Sequence, residues 1–239
     1  MNKNEAPTAI LVPGYWLGGW AWENVTKHLA AGGLSTRAIT LPGLESPATP
    51  RNDIRLADHV DAIVNAVSAA VGPVTLVAHS GAGALATVVL DRLPEAVSRV
   101  VYVECGPDAD GAVARPDLDE TATEVPLPTW QELEAGGASL AGLDEDMLQR
   151  FQTQAVTHPA GPLREPVQLS NPNRNHVPAT VVCCSFPSAM VRQMVASGTG
   201  MFAPMADLTN VDYVDLPTGH WPMWSEPQAL AEVILKTIE

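Results

Sequence analysis

Six short runs rich in β-branched residues recur along the chain: TAILV (8–12), STRAITL (35–41), VTLVA (74–78), SRVVYVE (98–104), ATVVCC (179–184) and VDYVDL (211–216). Between them lie segments with helical spacing: WENVTKHLAAGG, LADHVDAIVNAVSAAV, GALATVVLDRL, SAMVRQMVAS and PQALAEVILKTIE. Strand and helix alternating in this way predict a mostly parallel sheet, because each crossover helix returns the chain to the same end and covers one face of the strands. The chain of 239 residues is long enough for one such α/β domain with a large core and an insertion.

The alternation breaks once. Between Gly106 and Pro178 nine prolines interrupt it, and only TWQELEA and DEDMLQRFQTQA look helical. This stretch holds 12 acidic and 4 basic residues, so most of the chain's net charge of −14 sits here. The expected organisation is therefore a core made of residues 1–106 and 179–239, with 107–178 inserted as a solvated cap over one end of the sheet.

Several function classes fall away on composition. A net charge of −14 disfavours nucleic acid, whose binding needs Lys and Arg to neutralise phosphates. No apolar run reaches the length of a membrane span, and MNKNEAPTAILVPG lacks the charged-then-apolar pattern of a signal peptide, so a soluble cytoplasmic location is expected. Cys105, Cys183 and Cys184 lie in or beside apolar runs and read as reduced core residues rather than a disulfide framework.

The run TLVAHSGAGALATVVL sets Ser80 where a buried strand turns into a helix. In a parallel sheet, ligands sit beyond the carboxyl ends of the strands, and a sharp strand-to-helix turn tolerates only small neighbours. Ala78, Gly81, Ala82 and Gly83 are small, and the turn reads as a nucleophile elbow with alanines where glycines are usual. A serine nucleophile needs a base. Of six histidines, His220 in DLPTGHWPMW follows the last strand on a turn. His28 and His59 read as surface residues of helices, His158 and His176 as exposed residues of the insertion, and His79 as pointing away from the site. The base in turn needs a carboxylate to fix its tautomer. The loop after ATVVCC, SFPSAM, contains none, whereas VVYVECG closes on Glu104. Glu104 is therefore the expected third member, with Asp207, Asp212 and Asp215 as alternatives.

Taken together, LVPGYWLGGWAW, LVAHSGAG and LPTGHWPMW resemble the α/β-hydrolases, in particular the branch that includes plant methylesterases and hydroxynitrile lyases. The resemblance spans residues 8–106 and 179–239 and implies the α/β-hydrolase fold. It also implies an oxyanion hole formed by the backbone amides of Tyr15 and Gly81. The 24 residues separating Ser80 from Glu104 are similar to the spacing in haloalkane dehalogenases, which carry their acid after the same strand, but a serine nucleophile argues against dehalogenase chemistry. Hydroxynitrile lyases of this branch carry threonine at the position of Gly14 and lysine after the base; Gly14 and Trp221 stand here instead.

The expected activity is hydrolysis of carboxylic esters of small, neutral, apolar or aromatic substrates, with no cofactor and no metal. Trp16, Trp221 and Met205 are the expected substrate contacts, with Trp224, Phe202 and Met223 nearby; Trp20 and Trp22 read as anchors of the first helix. A lactonase or C–C bond hydrolase would use the same triad, and a non-enzymatic ligand receptor on the same fold is the reading from another class.

Overall fold

Alternating side chains explain how one sheet serves two cores. In β1 (Thr8–Val12) Ala9 and Leu11 face one side while Ile10 and Val12 face the other, and all four are fully buried. The computed structural model describes residues 7–238, so residues 1–6 and Glu239 of the expected core lie outside the described residues.

The remaining elements follow in chain order: α1 (Glu23–Ala31), β2 (Ser35–Ala38), α2 (Leu56–Ala69), β3 (Val74–His79), α3 (Ala82–Arg92) and β4 (Arg99–Val103). Within residues 107–178 come β5 (Glu124–Val125), α4 (Trp130–Ala135), α5 (Glu145–Gln154), β6 (His158–Pro159) and α6 (Gly161–Arg164). The chain then continues through β7 (Ala179–Cys183), α7 (Ser188–Ser197), β8 (Val211–Asp215), α8 (Pro222–Ser225) and α9 (Pro227–Lys236). Six strands form a parallel sheet in the order β2-β1-β3-β4-β7-β8, and β5 pairs with β6 in a separate antiparallel ribbon.

Both faces of the sheet are covered. Helices α2, α3 and α7 pack on Ile10, Leu76, Ala78 and Tyr102. On the opposite face α1 and α9 pack on Leu11, Val77, Val101 and Val182, with Trp22 fully buried among them. Residues 107–178 contribute to both cores, Leu133 and Phe151 joining the second and Val156 and Val167 the first. Local sequence starts the helices of this segment: Thr129 and Glu132 form a reciprocal cap on α4, and Asp144 accepts from the Met147 amide at 2.8 Å at the start of α5. No helix among the described residues is long and apolar enough to cross a membrane.

Register levels the carboxyl ends of the central strands. Val12 pairs with Ala78, His79 with Val103, and Val103 with Val182. The residues that leave these strands therefore emerge along one rim, where Ser80, Glu104 and the loop at Cys184 stand side by side.

Candidate active site

Among the described residues, three non-glycine residues have positive φ: Trp16 (64°), Ser80 (52°) and Glu104 (53°). Each such residue costs about 1–2 kcal/mol and persists only where its surroundings fix it. All three stand at this rim, the first two just beyond or at strand ends and the third directly after β4.

Ser80 follows β3, six residues that are all buried, and its amide donates to the Val103 carbonyl at 3.0 Å. The crowding that demands small neighbours is explicit. A Cβ on Gly81 would lie 2.2 Å from the Tyr15 ring, and one on Gly83 would lie 2.3 Å from the Gly106 carbonyl oxygen. At Gly14 a Cβ would press to 3.0 Å on both His79 and the Ser80 side chain, which leaves little room for a threonine there.

The Ser80 hydroxyl lies 2.8 Å from Nε2 of His220. Nδ1 of the same ring is 3.4 Å from Oε2 of Glu104, whose side chain is 1% exposed. With the ring hydrogen on Nδ1, facing the carboxylate, Nε2 accepts the serine proton. The loop after β7, where no carboxylate exists, has a different role. It donates the Cys184 and Ser185 amides to Oε1 of Glu104 at 2.6 and 3.0 Å, and the Ser185 hydroxyl to Oε2. The alternative acids are engaged elsewhere: Asp212 pairs with Arg99 at 3.1 Å, Asp215 accepts from the Ser188 amide at 2.6 Å at the start of α7, and Asp207 closes a 3-10 turn.

The turn carrying His220 is held from residues 107–178. The Gly219 amide donates to Ala141 at 3.0 Å and the His220 amide to Ser139 at 2.8 Å. A Cβ on Gly219 would fall 2.3 Å from the Ala141 oxygen, so this approach needs glycine. Neither the Tyr15 amide nor the Gly81 amide donates to another protein group among the described residues, and Gly81 caps the start of α3 beside the Ser80 side chain. Tyr15 and Ser80 line the same cleft, and the Tyr15 ring lies over Gly81.

Three histidines differ from the sequence expectation. His59 is 1% exposed rather than on the surface, because it falls in the buried stripe Leu56, Val60, Ile63 and Val67 of α2, and its Nε2 donates to the Pro42 carbonyl at 2.9 Å. His158 is likewise 1% exposed, packed against Tyr15 and His59. His79 does not point away: its Nε2 donates to the His220 carbonyl at 2.7 Å. Burial holds the imidazoles of His79 and His158 well below the usual range, and that of His59 below it. A neighbouring imidazole adds to the effect for the first two.

A cleft of about 420 Å³ opens over Ser80. Trp16 and Trp221 line it, with Phe186 and Met201 adding apolar wall and Arg115 and Glu132 polar edges. Met205, expected as a substrate contact, is instead 2% exposed and packed beneath Gly106, since the 3-10 turn Ala203–Asp207 directs it into the sheet core. Phe202, Met223 and Trp224 are buried core residues as well. Arg115 is tied to Asp117 through two contacts of 2.9 Å. The three cysteines are unpaired and buried; burial pushes the Cys183 thiol up to about 12 and the other two higher. Burial also raises the Asp108 carboxyl and the Tyr15 phenol.

Comparison with known proteins adds a family pattern to this geometry. The sequence pattern of a family described as the alpha/beta hydrolase family matches residues 9–233. Methylesterase 7 of Arabidopsis thaliana is 32% identical over 107 residues, which cover 43% of this chain and 41% of the relative. The alignment thus spans about two fifths of that relative's length. Among solved structures, an extracellular alpha/beta-hydrolase from a Paenibacillus species, described as sharing structural and functional homology with tobacco salicylic acid binding protein 2, superposes with a TM-score of 0.73 at 18% identity, covering 97% of this chain and 98% of that one. The methylesterase protein MES16 from Arabidopsis gives a TM-score of 0.73 at 16% identity, covering 98% and 99% of the two chains. At these identities the likeness is one of fold.

Proposed function

The chain belongs to the alpha/beta hydrolase family, and on that premise we propose that it is a serine hydrolase that cleaves carboxylic esters through an acyl-enzyme. The observation that carries this reading is the continuous line from Ser80 through His220 to Glu104, at 2.8 and 3.4 Å. Methylesterases among the relatives support an ester as the substrate and a small alcohol as the leaving group.

The steps follow from the atoms. His220 Nε2 takes the proton of Ser80 as Oγ attacks the ester carbonyl carbon, and Glu104 stabilises the imidazolium that forms. The negative charge on the former carbonyl oxygen is received by the amides of Tyr15 and Gly81. His220 then returns the proton to the leaving alcohol, and the acyl group remains on Ser80. Water, deprotonated by the same nitrogen, releases the acid and restores the serine. Residues 107–178 act as a cap, shaping the cleft over the serine. The aromatic and methionine walls suit a neutral, apolar or aromatic acyl group. The partner is thus a small molecule rather than nucleic acid, in keeping with the net charge of −14.

Labelling and substitution test the reading. A serine-directed sulfonyl fluoride should abolish turnover of a nitrophenyl ester and add its mass to the peptide containing VAHSGAG. Ser80→Ala should lower turnover by roughly four to six orders of magnitude, and Glu104→Gln by roughly two to four. Asp207→Asn, Asp212→Asn and Asp215→Asn should each cost far less. Full activity in Ser80→Ala, or inactivation by label on another peptide, would remove the nucleophile from the mechanism.

A further inference from the structure

We propose that His158 is a positioning residue for the oxyanion loop, so that residues 107–178 set the orientation of the Tyr15 amide as well as the shape of the cleft; the inference rests on the esterase reading above. Trp16, directly after Tyr15, has a left-handed backbone that an L-residue adopts only when held there. It is held at three points. Its amide donates to Nδ1 of His158 at 3.4 Å, its indole Nε1 donates to the Val125 carbonyl at 3.0 Å, and its carbonyl accepts from the Val156 amide at 2.9 Å. All three partners belong to one short stretch of structure, the β5–β6 ribbon and the residues that lead into it.

That ribbon is itself fastened to the core from outside the cleft. The Arg51 Nε donates to the Thr157 carbonyl at 2.9 Å, and its Nη1 reaches Glu124 at 3.3 Å. Thr157 Oγ1 donates to the same Glu124 carboxylate at 2.9 Å. On the other side the His158 ring packs against the Tyr15 ring, with centroids 5.0 Å apart, and the Tyr15 ring covers Gly81. The chain of contact therefore runs from Arg51 through the ribbon and His158 to Trp16, to the Tyr15 ring and, beneath that ring, to Gly81.

The state of the His158 ring separates this role from simple packing. Because Nδ1 accepts from Trp16, the ring hydrogen sits on Nε2, which is buried and has no hydrogen-bond partner. An unpaired buried N–H disfavours the fold, and a leucine here would remove it. What the imidazole supplies, and leucine does not, is the acceptor for the Trp16 amide. A residue that costs stability while fixing a strained loop beside the nucleophile is placed for geometry rather than for packing.

The test compares the parent protein with His158→Leu and His158→Asn, the amide oxygen of asparagine standing in for the Nδ1 acceptor. Each is assayed for kcat and KM on a nitrophenyl ester, for affinity toward a boronic acid that forms a tetrahedral adduct on the serine, and for thermal stability. His158→Leu should lose about 10- to 100-fold in kcat with KM within about twofold, and boronate affinity should fall in parallel. Removing the unpaired Nε2 hydrogen and leaving the Trp16 amide without its acceptor act on Tm in opposite directions, so its Tm should stay close to the parent's, and His158→Asn should recover most of kcat. An unchanged kcat in His158→Leu overturns the proposal, as does a loss that tracks a lowered Tm and is not recovered by asparagine. If His158→Leu does not fold, Arg51→Met loosens the ribbon without touching the cleft: it should lower kcat and boronate affinity at constant KM, and unchanged values overturn the proposal. Ser80→Ala is run alongside; activity there refutes the esterase reading and this inference with it, whereas an inactive Ser80→Ala beside a fully active His158→Leu refutes this inference alone.

Discussion

Acid should destabilise this protein before its carboxylates titrate. His59, His79 and His158 are each 1% exposed, and burial keeps all three imidazoles neutral in the fold, with pKa values below the ordinary one. In the unfolded chain each regains a pKa of about 6.5. Their folded pKa values are depressed, so on acidification the unfolded state binds protons that the folded state does not. The contribution is therefore fully present above the unfolded value and is lost as pH falls below it. Between about pH 7.5 and about pH 5.5, a histidine that stays neutral in the fold and has an unfolded pKa of about 6.5 costs about 1.4 kcal/mol; His79 and His158, held well below, together cost about 3 kcal/mol, and His59, lowered less far, adds in the same direction. Asp108 acts in the opposite direction, since burial raises its carboxyl and acid favours its folded form, but its ordinary range lies lower. Urea titrations followed by tryptophan fluorescence at a series of pH values measure the slope directly. His158→Gln, which cannot take up a proton, should flatten the loss by about 1.4 kcal/mol. A stability that stays level or rises between about pH 7.5 and about pH 5.5 would refute the claim that these rings are held neutral.

Two further substitutions probe single contacts. Gly81→Ala places a methyl 2.2 Å from the Tyr15 ring; the ring must move and carry its amide with it, so turnover should drop about 10- to 100-fold, and parental kinetics would show that the loop adapts freely. Met205→Ala should cost about 2–5 kcal/mol in a urea titration while leaving KM unchanged; a large KM effect without loss of stability would return this methionine to the substrate cleft.

What could be read in the sequence followed the range over which each signal acts. Strand runs such as TAILV and ATVVCC carry their own period, and the structure keeps all six, trimming STRAITL to Ser35–Ala38. Ser80 was visible because crowding at the turn imposes small residues on its immediate neighbours. The place of Glu104 at the end of an apolar strand is legible locally, and the loop at Cys184 and Ser185, lacking an acid, meets its carboxylate with amides and a hydroxyl. His59 carried a legible signal that went unused: with Leu56, Val60 and Ile63 it falls on the helical stripe that faces the sheet. His158 carried none, since its partner Trp16 lies 142 residues away and the left-handed backbone of Trp16 has no sequence signature. The split between Met201, which lines the cleft, and Met205, which does not, depends on one 3-10 turn whose direction no periodicity fixes.

The pairing of β3 with β4 sets an order of assembly. Ser80 and Glu104 are joined by a loop of 24 residues and brought level by the His79–Val103 ladder, whereas His220 is 140 residues from Ser80. Closing the longer loop costs about 1.5 kcal/mol more chain entropy than closing the shorter one. As the chain emerges in order from its amino end, Ser80 and Glu104 can therefore be spaced before His220 has been synthesised. The Gly219–His220 turn, seated against Ser139 and Ala141, is thus the element of this rim that closes over the longest stretch of chain.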